Sequence, residues 1–214
     1  FTDEGARLLA SARRMLHEEQ LLKQDMSSVN GQPQGRLSIG VVPSAEPIAA
    51  RFAAMLHAKY PGITPVVRSM SSQEIETGLE ELTLDMGLGF IERVRPGATS
   101  LRTLAQYTEH YFLVRKASSV GAQGIQFGEP MSWQAAAALP LCLMTSEMHN
   151  RHIVDAAFAK AGVAVRPVLE TNSLLTLALS AVGGAVCSVM PGALVGAVRA
   201  YGELEVHPLA GPEV

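Results

Sequence analysis

Small polar residues follow four hydrophobic segments of this sequence. Hydroxyl or amide side chains stand at Ser44, at Ser71 and Ser72, at Thr145 and Ser146, and at Asn172 and Ser173, in each case ahead of a segment with helical spacing. The first turn of a helix has unpaired N–H groups and favours negative charge, so such residues act as caps or as contacts for a bound small anion. Both interpretations remain open for each residue. Convergence of the four groups on one site would favour the ligand.

The segments ahead of the first two polar groups predict a parallel sheet. Gly35 to Val42 is a short, mainly β-branched run that Pro43 ends, which is typical of a strand covered on both faces. After it we predict a helix that ends near Tyr60, a strand over 64–70, a helix over 73–84 and a strand over 85–91. Right-handed crossovers in this βαβαβ order give parallel strands, and ligands collect beyond the carboxyl ends of such strands.

The extended run from Leu101 to Arg115 has no helix before it and predicts a crossing into a second lobe. The strands of that lobe are expected at 139–144, 167–170 and 185–189, and its helices at 133–138, 147–161 and 174–182. The segment Met190-Pro191-Gly192 predicts the return crossing, with a helix over 193–201 and a strand over 204–209 that rejoins the first lobe. If the lobes face each other, all four polar groups converge on one cleft.

The first 29 residues form a predicted helix with a different pattern. Apolar residues recur every seven positions, with two more on the intervening seam and an interruption at Glu19: Leu8, Ala12, Met15, Leu22, Met26 and Val29. This narrow seam favours pairing with another helix. The Gly- and Pro-containing stretch after it reads as a flexible linker.

Composition excludes several classes of function. The net charge of −3 over 214 residues offers no broad basic surface for nucleic acid. Cys142 and Cys187 match no metal-ligand spacing, and His149 with His152 lacks a third ligand. We therefore expect no metal, no cofactor and no catalytic residue, since a Gly-x-Ser-x-Gly motif is also missing. No membrane span or signal peptide is recognised, which favours the cytoplasm.

Several segments together resemble LysR-type transcriptional regulators. The N-terminal helix resembles the family's linker helix, and 35–40 resembles the start of its effector-binding domain. Tyr60-Pro61-Gly62-Ile63, Asp85-Met86-Gly87-Leu88 and the run from Val182-Gly183-Gly184 to Pro191 are similar to the family framework. Val186 stands where many members have a second glycine, which would alter the pocket.

The resemblance implies an α/β fold of two Rossmann-like lobes joined by crossover strands, as in periplasmic binding proteins, preceded by a long linker helix. Residues 1–29 would be the linker and dimerisation helix, 30–35 a hinge, 36–112 with 191–214 effector-binding lobe I, and 113–190 lobe II. A DNA-binding domain would be missing from this chain. The whole protein would be a homodimer or homotetramer that contacts DNA through that domain.

The resemblance also implies a small-molecule effector, which the polar helix starts suggest is anionic. Carried over by position, the effector contacts are Ser44, Glu46, Ser71, Ser72, Gln73, Phe90, Thr145, Met148, His149 and Asn172. Glu46 is unexpected in an anion site, because a carboxylate repels an anion unless it is protonated or paired. It would instead select a cation or point away.

Two alternatives stand beside a sensor of this kind. A solute-binding protein for small-molecule uptake would be exported and monomeric, which the missing signal peptide and the pairing helix disfavour. An enzyme is the third possibility, and no general base can be assigned for it.

Overall fold

The computed structural model describes residues 2–27, 32–90 and 101–210. The chain divides into two compact units, Phe1–Ala105 and Gln106–Val214. The predicted α/β class with a long leading helix is confirmed. Two positions of the predicted seam and hinge, Val29 and Asn30, lie outside the described residues, as does Ile91 at the end of the third predicted strand.

The leading helix, α1, spans Asp3–Ser27. Thr2 caps it, since the Gly5 N–H donates to Thr2 Oγ1 at 3.2 Å. The apolar seam faces outward: Leu8 and Met15 are each 72% exposed and Met26 is 79% exposed. Packing against the rest of the first unit therefore does not explain why these positions are apolar.

The opposite side of α1 is polar and contacts the first unit. Arg13 Nη1 lies 2.5 Å from Glu81 Oε1. A Cβ added at Gly35 would lie 2.8 Å from the Gln24 side chain. At 100° per residue, Arg13 and Gln24 share a side that is nearly opposite Leu22.

Three parallel strands form the sheet of the first unit: β1 (Gly35–Val41), β2 (Ile63–Ser69) and β3 (Met86–Leu88), in the order β2-β1-β3. Helices α2 (Glu46–Lys59) and α3 (Ser72–Glu80) connect them. This is the predicted βαβαβ order. Its core is one small cluster: Val41, Val42, Ala45, Ala49, Ile75 and Leu84.

Helix α3 ends earlier than the sequence indicated. The prediction extended to Leu84, but the helix ends at Glu80. Leu82 then adopts a positive φ of 59°, a conformation that a helix cannot continue through. The N–H groups of Thr83 and Leu84 both bond to Gly78 O, and Leu84 folds into the core with 3% exposure.

The second unit holds a larger mixed sheet with helices between its strands. The strand order is β5-β10-β4-β9-β7-β8, and β6 pairs with β10. The elements are β4 (Tyr111–Lys116), β5 (Gln126–Phe127), β6 (Met131–Ser132), α4 (Trp133–Ala137), β7 (Leu141–Met144), α5 (His149–Lys160), β8 (Leu169–Thr171), α6 (Leu174–Val182), β9 (Cys187–Pro191), α7 (Gly192–Ala197) and β10 (Leu204–Ala210).

Alternate residues of β7 enter two different cores. Cys142 and Met144 belong to a cluster with Leu177, whereas Leu141 and Leu143 belong to a cluster with Trp133 and Phe158. Side chains of a strand alternate between the two faces of its sheet. The large sheet is therefore covered by apolar side chains on both faces.

Strand β10 does not rejoin the first sheet, which corrects the sequence-based expectation for 204–209. It pairs antiparallel with β4, with Val206 opposite Val114. The connection from β9 is short, because α7 has only six residues. Leu204 and Val206 are buried in the core that already holds Val114, and this burial keeps the strand in the second unit.

Among the helices that the structure describes, none is long and apolar enough to cross a membrane.

Candidate functional site

The first unit collects its six predicted contact residues at the carboxyl ends of its strands. The Met70 N–H donates to Val41 O and the Val42 N–H donates to Leu88 O, both at 2.9 Å, so the three strand ends are adjacent. The residues that follow these ends form what we call the first polar edge: Ser44, Glu46, Ser71, Ser72, Gln73 and Phe90. The polar residues of this unit therefore share one edge of its sheet.

Ser44 does not cap a helix, which was one of the two interpretations that the sequence left open for it. It lies in a short 3-10 helix, Pro43–Ala45, and the N-cap of α2 is Ala45, without a side-chain cap hydrogen bond. Ser44 is only 5% exposed. Its place at the edge thus has no capping explanation. Glu46, half-buried, is the first residue of α2.

Ser71 is a helix cap, as the simpler interpretation held. Its Oγ accepts from the Glu74 N–H at 3.3 Å, and Glu74 Oε2 accepts from the Ser71 N–H at 2.7 Å, which completes a capping box at α3. The bond from the Ser71 backbone lowers the pKa of Glu74. The hydroxyl proton of Ser71 is not used by this box and can be donated to a ligand.

The other members of the first polar edge differ in their surroundings. The Ser72 Oγ is buried and has no hydrogen-bond partner in the part of the chain that the structure describes. Gln73 is exposed on the first turn of α3. Phe90 packs partly against the core of the first unit, which gives it a structural role.

The second unit brings its four predicted residues together in the same way. Strands β7 and β8 are parallel, with Met144 opposite Thr171, and the Thr145 N–H donates to Thr171 O at 3.0 Å. Helices α5 and α6 begin beyond these ends. We call the four residues the second polar edge: Thr145, Met148, His149 and Asn172.

Thr145 has a carboxylate partner that the sequence did not suggest. Its Oγ1 donates to Glu147 Oε1 at 2.6 Å, and this bond lowers the pKa of Glu147. Met148 is the N-cap of α5 and has no side-chain cap hydrogen bond. Ser146 lies two residues ahead of this position and therefore does not cap α5. Asn172 is exposed, while Ser173 caps α6 through the Thr176 N–H at 3.3 Å.

Arg151 is a buried residue below the second polar edge that sequence reasoning missed. Its Nη1 donates to Met144 O at 2.7 Å and to Glu170 Oε1 at 2.6 Å, and its Nε donates to Asp155 Oδ1 at 2.8 Å. It therefore ties the first turn of α5 to the ends of β7 and β8. The spacing of four residues to Asp155 was the visible signal.

A polar cluster separate from the two polar edges lies where the chain enters the large sheet. The Tyr107 hydroxyl donates to Glu109 Oε2 at 3.2 Å, and the Gly192 N–H donates to the adjacent His110 O at 2.8 Å. Burial raises the pKa of Glu109, and burial together with this carboxylate raises the pKa of Tyr107 to about 12. The bond from the Gly192 N–H to His110 O thus joins the entering segment to the start of α7.

Histidine and cysteine residues give no metal centre in the described part of the chain. The ring centroids of His149 and His152 lie 6.4 Å apart and the rings are tilted by 56°. Cys142 and Cys187 are both free. They lie on neighbouring strands but pack into the two different cores, so their side chains lie on opposite faces of the sheet.

Comparison with known proteins agrees with this architecture. The family model described as the LysR substrate binding domain matches residues 30–214. An uncharacterized HTH-type transcriptional regulator from Shigella flexneri, YfeR, is 24% identical over 196 residues, which are 89% of this chain and 60% of that protein. The chain thus spans less than two thirds of the length of this relative.

Two solved structures illustrate the similarity of fold. Full-length CbnR in complex with its target DNA superposes with a TM-score of 0.70 at 20% identity, covering 100% of this chain and 72% of that one. The regulatory domain of CcmR from Synechocystis PCC6803, in complex with 2-PG, gives 0.63 at 19% identity and covers 81% of this chain and 80% of that one.

A match over residues 30–214 shows the family. This chain belongs to the LysR substrate-binding domain family, and the resemblance read from the sequence is confirmed.

Proposed function

We propose that this chain is the effector-sensing part of a LysR-type transcriptional regulator, a protein that binds DNA and responds to a small molecule. The supporting observation is that both units of a chain of this family place polar residues beyond the ends of parallel strands, at helix starts. Ligands of open α/β sheets bind at such positions. DNA contact belongs to a domain outside this sequence, and action on DNA agrees with the predicted cytoplasmic location.

We assign effector contact to the ten residues of the two polar edges. In the first unit the assignment is best supported for Ser44, since it is buried and caps neither of the adjacent helices. In the second unit it is best supported for Thr145, because this residue follows β7 and is half-buried without capping α5. Phe90 and Met148, which both touch a core, would supply apolar contacts.

Effector binding is tested by thermal shift against small carboxylates, inorganic anions and amino acids, followed by calorimetric affinities for the hits. We expect Ser71→Ala and Thr145→Ala to weaken binding about tenfold or more, because a hydrogen bond to a charged group contributes about 1.5–3 kcal/mol. The matched control is Glu74→Ala, which breaks the same capping box as Ser71→Ala but leaves the hydroxyl in place. Unchanged affinity in both test variants, or an equal loss in the control, would remove these assignments.

We further propose that α1 pairs with a second copy of the chain. Its polar side contacts its own unit through Arg13, while Leu8, Met15 and Leu22 are exposed on the other side. Sedimentation should show that Leu22→Glu dissociates the dimer, whereas Gln20→Glu, which adds the same charge on the polar side of α1, leaves it intact. A wild-type monomer would contradict the pairing and favour the solute-uptake alternative.

The ion pair between Arg13 and Glu81 connects α1 to α3, whose first residues belong to the first polar edge. We propose that it transmits effector binding to the paired helices. An exposed pair contributes only about 0–1 kcal/mol, so the coupling has to be measured as a difference. Arg13→Glu should reduce the effect of a bound hit on hydrogen exchange in α1, and the charge-reversed double variant with Glu81→Arg should restore it. Equal exchange changes in all three proteins would contradict this role.

A further inference from the structure

Two hydroxyl groups of the first polar edge are buried without a partner. Ser44 is 5% exposed, caps neither adjacent helix, and no side-chain hydrogen bond joins it to the described residues. The Ser72 Oγ is also buried and unpaired in the described part of the chain. The two serines follow neighbouring strands, because the Met70 N–H donates to Val41 O at 2.9 Å. Buried polar groups without a partner are uncommon, so both hydroxyls indicate a bound molecule at this edge of the first unit.

The start of α2 is not suited to an anion. The Ala45 N–H donates to Val42 O at 2.9 Å, and the Glu46 N–H donates to Pro43 O. Pro47, the next residue, has no N–H. Glu46 also places a carboxylate at the first position of this helix. The N–H groups that usually bind an anion are therefore used or missing here, and a like charge lies beside them.

The start of α3 still offers hydrogen-bond donors. Its capping box uses the Glu74 N–H, and the N–H groups of Ser72 and Gln73 have no partner within the helix. The segments 41–49, 69–75 and 88–90, which form the first polar edge, contain no Lys, Arg or His. These segments thus combine N–H and hydroxyl donors with a carboxylate acceptor and contain no positively charged side chain.

A hydroxyl group of a ligand suits both kinds of partner. It can donate its hydrogen to the Glu46 carboxylate and accept a bond from an N–H group or from a serine. A ligand carboxylate or phosphate would instead meet the charge of Glu46. An ammonium group has no lone pair, so it would leave the N–H groups of α3 without an acceptor.

Building on the proposed function, we infer that the part of the effector bound by the first unit is uncharged and carries neighbouring hydroxyl groups, as in a sugar or polyol. Glu46 and Ser44 bond to these hydroxyls from the α2 side, and the N–H groups of Ser72 and Gln73 bond to them from the α3 side. This class differs from the small anion that the polar helix starts suggested in the sequence.

The test compares uncharged sugars and polyols with charged relatives of the same skeleton. The probes are D-glucose with D-gluconate and D-glucosamine, D-ribose with D-ribose 5-phosphate, and myo-inositol with myo-inositol 1-phosphate. Calorimetry on the full chain should find saturable binding of at least one uncharged probe, and its charged relatives should bind at least tenfold more weakly. Saturation separates binding from the general stabilising effect of sugars and polyols on proteins.

Variants locate the hydroxyl contacts. Glu46→Gln should weaken the bound probe at least fivefold and reduce its advantage over the anionic relative, because an amide can donate to an anion. Ser44→Ala should weaken the probe about threefold or more, since a hydrogen bond between uncharged groups is lost. The matched control is Glu80→Gln, which removes the same charge at the exposed last residue of α3 and should have no effect.

Three results would overturn the inference. They are the absence of binding by every uncharged probe, an affinity that Glu46→Gln leaves unchanged, and an anionic or amino relative that binds at least as tightly as its uncharged counterpart. If an anion binds and loses affinity in Ser71→Ala and Thr145→Ala, the sensor function stands although the assigned effector class does not.

Discussion

The two units place their polar edges on cores of very different size. The first unit has three strands and one buried cluster, whereas the second has a sheet with a buried cluster on each face. Because apolar burial is the main favourable term in folding, the second unit should be the more stable of the two. A sensor can combine a more stable unit with a less stable one, since the elements that move belong to the less stable parts of a structure.

The largest effect should come from the core of the second unit. Phe158 is 1% exposed and meets the Trp133 ring edge-on at a centroid distance of 4.9 Å. Phe158→Ala should lower the free energy of unfolding by about 3–5 kcal/mol, measured by denaturant titration. Phe127→Ala is the control, because Phe127 is 70% exposed, and it should stay within about 0.5 kcal/mol. Similar losses for both variants would contradict the assigned core.

An overpacking variant tests the first unit. A Cβ at Gly40 would lie 2.6 Å from the Leu84 side chain and 3.1 Å from that of Ile75. Gly40→Ala should cost about 1–3 kcal/mol and raise hydrogen exchange in the first unit while the second stays protected. Gly89→Ala should be tolerated, because among the described residues the added Cβ would meet Val42 at an ordinary 3.5 Å. Loss of protection in both units together would show that they unfold as one.

Serine caps at α3 and α6 allow a direct comparison between units. Ser71 caps α3 and Ser173 caps α6, each by accepting one N–H at 3.3 Å. Each Ser→Ala variant should lose about 1 kcal/mol. Ser71 also has a carboxylate returning to its backbone, and Ser71→Ala keeps that bond because the donor is the backbone N–H, so Ser71→Ala should show the smaller loss. A larger loss at Ser71 would reverse this order.

The smallest effect is a difference in pH response. The pKa of Glu74 is lowered, so its ionised carboxylate stabilises the folded first unit. This stabilisation is complete above the ordinary carboxyl pKa of about 4.3 and is lost as pH falls through the folded value. The pKa of Glu109 is raised by burial, so protonation favours the folded second unit, and that gain is lost as pH rises through its folded value. Unit-resolved melting in acid should show the two trends with opposite sign. Glu74→Gln and Glu109→Gln should each flatten one trend, and unchanged curves would contradict the assignment.

Much of this fold could be predicted where residues at both ends of a helix or strand mark its limits. Helix α6 has the predicted bounds 174–182, because Ser173 and Gly183 flank an apolar run. The two-residue strands β5 and β6 were missed, since they exist only through pairing with β10. The partner of β10 was wrong for the same reason, because burial beside Val114 is a tertiary contact that no periodicity records.

The candidate site could likewise be predicted where it depends on the order of residues along the chain, and not where it depends on tertiary contacts. The order of strands and polar residues predicted that Thr145 and Asn172 share an edge, and the bond from the Thr145 N–H to Thr171 O bears this out. The carboxylate beside Thr145 and the buried guanidinium of Arg151 depend on side-chain geometry across separate elements. Whether the ten assigned residues contact an effector stays a prediction for the binding measurements.

The placement of the two thiols makes the chain convenient to label. Cys142 is completely buried and out of reach of a reagent, and burial raises the pKa of the half-buried Cys187, which disfavours its reactive thiolate. A cysteine introduced at Gln20, which is exposed on the polar side of α1 and outside the apolar seam, should therefore take a maleimide dye first. Fluorophores attached there would report helix association by energy transfer in the otherwise unaltered protein.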